Sequence, residues 1–143
     1  GLAALRVGFA VGNEKLVRAI KAVKSPYNVN TCSQKMAEAV LKNRAEADAA
    51  IRRLLFSRDE LQQKFDRMAQ RFPEKLQTVK SVTNFVVLRT PYAEELYERL
   101  LAESIAVRYF KNMSALRITA GSTGENAVVT EHIQRFFEEK EQA

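Results

Sequence analysis

The sequence predicts an α/β chain that ends in a small α+β layer, with helices packed on one face of a small, mostly antiparallel sheet. Three observations predict it. Residues 79–140 read in the order strand, helix, strand, strand, helix. The last two strands, 105–110 and 115–120, are joined by only the four residues 111–114, which makes them an antiparallel hairpin. Hydrophobic residues make up 46% of the 143-residue chain and charged ones 28%, the composition of a packed domain rather than a disordered one.

From the start of the chain, Val7, Phe9 and Val11 alternate, so residues 5–11 read as a short buried strand or strand pair. Gly8 and Gly12 permit close approach or bending there. Asn13 caps a helix from Glu14 to about Val23. Pro26 disfavours helix at Ser25, so 25–30 is a loop. Thr31 and Gln34 have capping-box spacing and open a helix to about Leu41, broken near Asn43. A second helix runs from about Ala45 to Arg71, with Ile51, Leu54, Leu55, Leu61, Phe65, Met68 and Phe72 mostly three or four apart, and Pro73 closes it.

The β-branched and aromatic run Val82–Leu88 reads as a strand. Thr90-Pro91 opens a helix to about Glu103 that buries Leu96, Leu100 and Leu101. Ser122 to Glu125 is another capping box. The helix behind it turns Val128, Val129, Ile133, Phe136 and Phe137 inward and frays over 138–143.

Composition excludes several function classes. A single cysteine, Cys32, excludes an internal disulfide framework and a cysteine-rich zinc site. A single histidine, His132, argues against a histidine metal site or a Ser-His-Asp triad, and an amphipathic helix makes it a structural or exposed residue. Apolar runs such as Phe85–Leu88 are far too short to span a bilayer. The net charge of +6 favours nucleic acid, an anionic membrane surface or small anionic ligands. Lys15, Arg18, Lys21 and Lys24 form a basic helix stripe, most simply a solvated face. Gly8 and Gly12 match no phosphate-binding fingerprint. Gly121 to Gly124, at a helix start, suits either an anion held by backbone N–H groups or the capping box. Cys32 reads as a small core or helix residue.

The hairpin carries the most informative chemistry. A four-residue loop pairs Phe110 with Ala115, and counting back puts Arg108 opposite Arg117. Like charges directly opposite are destabilising. An anion between them reverses the sign, because each guanidinium grips carboxylate or phosphate through paired hydrogen bonds. Two solvated arginines, or a bulge that shifts the register, are the alternatives.

Four stretches then carry a family resemblance. Gly1-Leu2-Ala3-Ala4-Leu5-Arg6-Val7-Gly8-Phe9 resembles the segment after the cofactor lysine in fold-type I, pyridoxal-phosphate-dependent aminotransferases, most of all the histidinol-phosphate aminotransferase family. Ser25-Pro26-Tyr27-Asn28-Val29-Asn30 resembles the family's Pro-Tyr-Asn-Val loop, and Thr83-Asn84-Phe85-Val86 its Ala-Asn-Phe strand. Ile105-Ala106-Val107-Arg108 and Leu116-Arg117-Ile118-Thr119-Ala120-Gly121 resemble its paired arginine strands. Ala4 and Ser104 stand where the family has glycine, and Thr83 where it has alanine.

The resemblance implies the C-terminal small domain of a pyridoxal-phosphate-dependent transferase. Residues 1–30 would be the tail of the large cofactor domain, 31–72 connecting helices, and 73–143 the small domain. It implies pyridoxal 5'-phosphate as cofactor of the full-length enzyme, with Arg6 on the cofactor phosphate. Arg117 would bind the substrate α-carboxylate and Arg108 the phosphate end of histidinol phosphate. The Schiff-base lysine would lie a few residues before Gly1, so upstream sequence is expected to be missing, and no transaminase activity is expected of this chain alone. The implied reaction converts L-histidinol phosphate and 2-oxoglutarate to imidazole acetol phosphate and glutamate, in a cytoplasmic homodimer without nucleic acid or membrane partners. Two alternatives stay open. One is a sister enzyme of the same fold, either another amino-acid aminotransferase or a threonine-phosphate-type decarboxylase. The other is a non-catalytic module binding anions or nucleic acid.

Overall fold

A computed structural model describes residues 3–142. Gly1 and Leu2, which open the first family-like stretch, and Ala143, the end of the expected fray, lie outside the described residues. Among these residues the helices are α1 (Glu14–Val23), α2 (Thr31–Lys42), α3 (Arg44–Arg71), α4 (Ala93–Ala102) and α5 (Thr123–Gln142). The strands are β1 (Gln77–Val79), β2 (Phe85–Arg89), β3 (Arg108–Phe110) and β4 (Ala115–Thr119), and short 3-10 turns occupy Ala3–Leu5 and Lys111–Met113. The chain divides into two units, one ending at Ala49 and one starting at Ala50.

In the first unit, α1 begins where its cap predicts: Asn13 Oδ1 accepts from the Lys15 N–H at 2.9 Å. The cap of α2 is displaced by one residue from the expected Thr31. Asn30 Oδ1 accepts from the Ser33 N–H at 2.8 Å, and the Gln34 side chain donates to Val29 O instead of closing a box. Both residues are good caps, and Asn30 already has the extended backbone that a cap needs. Asn43 separates α2 from α3, as expected.

Residues 5–11 do not form a strand. A strand needs a neighbour to take its backbone groups, and among the described residues none pairs with this segment. Its alternating side chains are open to solvent, Phe9 at 81% and Val11 at 92% exposure.

The second unit is an antiparallel four-stranded sheet in the order β1-β2-β4-β3. One face carries Val86 and Leu88 of β2, and Leu116 and Ile118 of β4. These pack with Leu61, Phe65 and Met68 of α3, Leu96 and Leu100 of α4, and Val129, Ile133, Phe136 and Phe137 of α5. The expected layer of helices on a small antiparallel sheet is therefore present. β1, a polar three-residue strand, carries no apolar alternation and escapes a reading by pattern.

Other boundaries differ in detail. β2 starts at Phe85, not Val82, because 80–84 is a loop. β3 is confined to 108–110. Helix α4 begins at Ala93, two residues after Pro91, although the Thr90 hydroxyl still accepts from the Tyr92 N–H at 3.2 Å. Leu101 and Val128 lie on the solvent side of their helices, as do Ile51, Leu54 and Leu55 in the first half of α3. At Val128 the core position is taken by the adjacent Val129. Helix α5 does not fray at Glu138 but continues to Gln142, where Arg71 and Arg99 pair with Glu138 and Glu139.

Candidate functional site

The register of the hairpin decides the site. Phe110 pairs with Ala115, Tyr109 with Leu116 and Arg108 with Arg117. In the neighbouring ladder Arg117 pairs with Val87, and Phe85 with Thr119. The inward residues of β4 are Leu116 and Ile118, so alternation turns Arg117 to the other face, with Val87 beside it and Arg108 opposite. Ser114, in the left-handed conformation with φ 45°, closes the loop so that no bulge intervenes.

Arg108 is exposed and Arg117 half-buried. Among the described residues neither joins an ion pair. The Arg117 guanidinium lies 5.0 Å from the centre of the Phe85 ring. Its Nε is fully buried and has no hydrogen-bond partner among the described residues. A buried donor left unpaired costs about 1–3 kcal/mol, more when charged. Two cations on directly opposed residues add repulsion to that cost. An anion bound between the two guanidinium groups offsets that repulsion.

Arg6 belongs to the first unit. It follows the 3-10 turn with a positive φ of 54°, and among the described residues its exposed side chain makes a 3.5 Å contact from Nη1 to Ala3 O. The start of α5 is different. Ser122 N–H donates to Glu125 Oε2 at 2.7 Å, and Glu125 N–H to Ser122 Oγ at 3.3 Å. Asn126 Oδ1 takes the Gly121 N–H at 2.9 Å. The amides of Gly121, Ser122 and Glu125 are thus taken by side chains of the helix start itself, the pattern of a capping box.

Lys15, Arg18, Lys21 and Lys24 are solvated, with Arg18 paired to Glu14. Cys32 is an exposed helix residue and not a core one, and His132 is half-buried on α5. Among the described residues no cluster could hold a metal ion. No helix among them is long and apolar enough to cross a membrane. Sequence reasoning missed the Phe85 ring as the support of Arg117. The signal available was the phase of β2, which sets Phe85 and Val87 on the face opposite Val86 and Leu88.

Fold and site together define a small sheet-and-helix layer that displays paired arginines on the face opposite its core. The family profile of aminotransferase class I and II matches residues 1–136. The chain belongs to that family. A histidinol-phosphate aminotransferase of Clostridium novyi (strain NT) is 35% identical over 132 residues, 90% of this chain and 36% of that protein. One from Synechococcus elongatus is 35% identical over 136 residues, 93% of this chain and 35% of its own length. The chain thus spans about a third of the length of the curated relatives it matches.

Among solved structures, histidinol-phosphate aminotransferase from Sinorhizobium meliloti in complex with pyridoxal-5'-phosphate matches with a TM-score of 0.73 at 17% identity, covering 94% of this chain and 37% of that one. L-threonine-O-3-phosphate decarboxylase from Porphyromonas gingivalis matches at 0.71 and 23% identity, covering 90% and 40%. Both share the fold.

Proposed function

We propose that this chain is the substrate-anchoring part of a pyridoxal-phosphate-dependent aminotransferase acting on histidinol phosphate, with 2-oxoglutarate and glutamate as the other pair. The observation that carries the reading is Arg108 directly opposite Arg117, with the Arg117 Nε buried and unpartnered. The donor set fits the cofactor and substrate: an exposed guanidinium at Arg6 suits a phosphate, and guanidinium groups on the directly opposed Arg108 and Arg117 suit a second anion. When bound, pyridoxal phosphate supplies an electron sink for the bonds at the substrate Cα.

The residues of this chain bind and orient. Arg6 holds the cofactor phosphate. Arg117 forks the α-carboxylate that 2-oxoglutarate and glutamate carry. Arg108 takes the phosphate of histidinol phosphate. Residues 1–30 then belong to the large cofactor domain, 31–72 to connecting helices and 73–143 to the small domain, in a cytoplasmic homodimer.

The test is made in the protein that carries this chain, by assaying amino transfer from L-histidinol phosphate to 2-oxoglutarate. Arg117→Ala is expected to lower kcat/KM for 2-oxoglutarate by about ten- to a hundredfold, the value of one charge-assisted contact. Arg108→Ala is expected to do so for histidinol phosphate and far less for phenylalanine. Unchanged constants in both variants overturn the reading. Release of carbon dioxide from a phosphorylated amino acid, without amino transfer, replaces it with the decarboxylase.

A further inference from the structure

Two consecutive residues of α3 reach both chain segments at one end of the sheet. Arg58 is only 8% exposed. Its Nη1 donates to Ser81 O at 3.0 Å and to Thr83 O at 2.8 Å, and its Nε to Asp59 Oδ1 at 2.7 Å. Ser57 Oγ donates to Gly121 O at 2.6 Å and accepts from Asn126 Nδ2 at 2.8 Å. One helix turn thus grips the loop that enters β2 and Gly121, the second residue beyond β4. Those two segments are themselves joined, since Ala120 N–H donates to Asn84 O at 3.0 Å. The residue after Asn84 is Phe85, whose ring supports Arg117.

A buried guanidinium is a weak source of stability, because desolvation offsets most of what its bonds return. What it contributes is geometry. One nitrogen, Nη1, bridging the two carbonyls while Nε is held by Asp59 leaves the loop one path into β2. We infer that Ser57 and Arg58 are positioning residues of the anion site. They fix 81–84 against 120–121, keep the Phe85 ring under Arg117, and so aim its guanidinium. This rests on the reading that Arg108 and Arg117 bind an anion.

The test uses the full chain, NMR and inorganic phosphate. The ring-current shift of Phe85 on the Arg117 δ protons reads the clamp without any ligand. Phosphate titration reads the site. Arg58→Gln is expected to erase much of that shift and to weaken phosphate binding about two- to tenfold, the scale of one lost cation–π support. Arg58→Lys, which keeps a donor to both carbonyls, is expected to recover most of both effects. Ser57→Ala is expected to weaken binding less than Arg58→Gln does, and it makes the same measurement should Arg58→Gln fail to fold. A folded Arg58→Gln or Ser57→Ala chain with an unchanged shift and unchanged affinity overturns the clamp. If the unmodified chain binds no phosphate, the anion reading falls, and the ring-current shift alone still decides whether the clamp holds Arg117.

Discussion

Arg117 shows how one residue can be costly for the fold and useful for a ligand. Its aromatic support and its strand partner bury the Nε, which has no partner among the described residues, while the side chain as a whole stays half-buried opposite Arg108. Ser104 is costly in a different way. It follows α4 with φ 61°, in a Schellman arrangement: Ile105 N–H donates to Leu100 O at 2.8 Å and Ser104 N–H to Leu101 O at 3.0 Å. The left-handed conformation disfavours a Cβ by about 1–2 kcal/mol, partly offset by the greater freedom of glycine in the unfolded chain. Ser104→Gly is therefore expected to stabilise the protein by about 0.5–1 kcal/mol. A raised urea midpoint with unchanged slope is the expected observation; a lowered midpoint means that the serine hydroxyl matters more than the strain.

Among the elements, α5 is tied at its start by a charge-dependent cap. The Ser122 hydroxyl, and after it the Ser122 N–H, hold the Glu125 carboxyl below its ordinary value of 4.5. A carboxyl whose folded value is depressed stabilises the fold above its unfolded value, and that contribution is lost as pH falls through the folded one. Exchange of the Ser122 amide, measured from pH 6 downward and corrected for intrinsic rates, is expected to speed up below about pH 4.5. Glu125→Gln is expected to remove that dependence, and a persisting dependence assigns it to another carboxylate. Helix α3 divides by burial. Its second half places Leu61, Phe65 and Met68 in the core, while Ile51, Leu54, Leu55 and Phe56 of its first half remain exposed. Periodicity runs through both halves alike, so spacing shows that the helix has an apolar face but not how much of that face is covered.

For the whole molecule, the two units differ in what holds them. Between Ala3 and Ala49 the one buried residue is Ser33, whereas the unit from Ala50 contains the entire hydrophobic core. Helices of 10 and 12 residues without a buried face are marginal in water. Hydrogen exchange is expected to find α1 and α2 opening freely, while the amides of β2 and β4 exchange only through global unfolding. Equal protection in both units would show that 1–49 has a source of stability other than its own packing.

Much of this was legible in the chain because the deciding interactions are short. The cap of α1 and the box of α5 span two or three residues, and the hairpin loop is short enough to count, so Arg108 opposite Arg117 follows from register arithmetic. The sequence alone therefore determined the starts of α1 and α5, the hairpin pairing, the two candidate anion arginines and the family resemblance. Tertiary structure decided the rest. The bonds of Arg58 to Ser81 and Thr83 span 23 and 25 residues, and that of Ser57 to Gly121 spans 64. Tertiary structure also left 5–11 without a strand neighbour among the described residues, hid the Nε of Arg117 beside Phe85, and sorted the apolar residues of α3 into covered and uncovered. Burial and long-range pairing depend on which other element comes to occupy the adjacent space, and no local pattern carries that information.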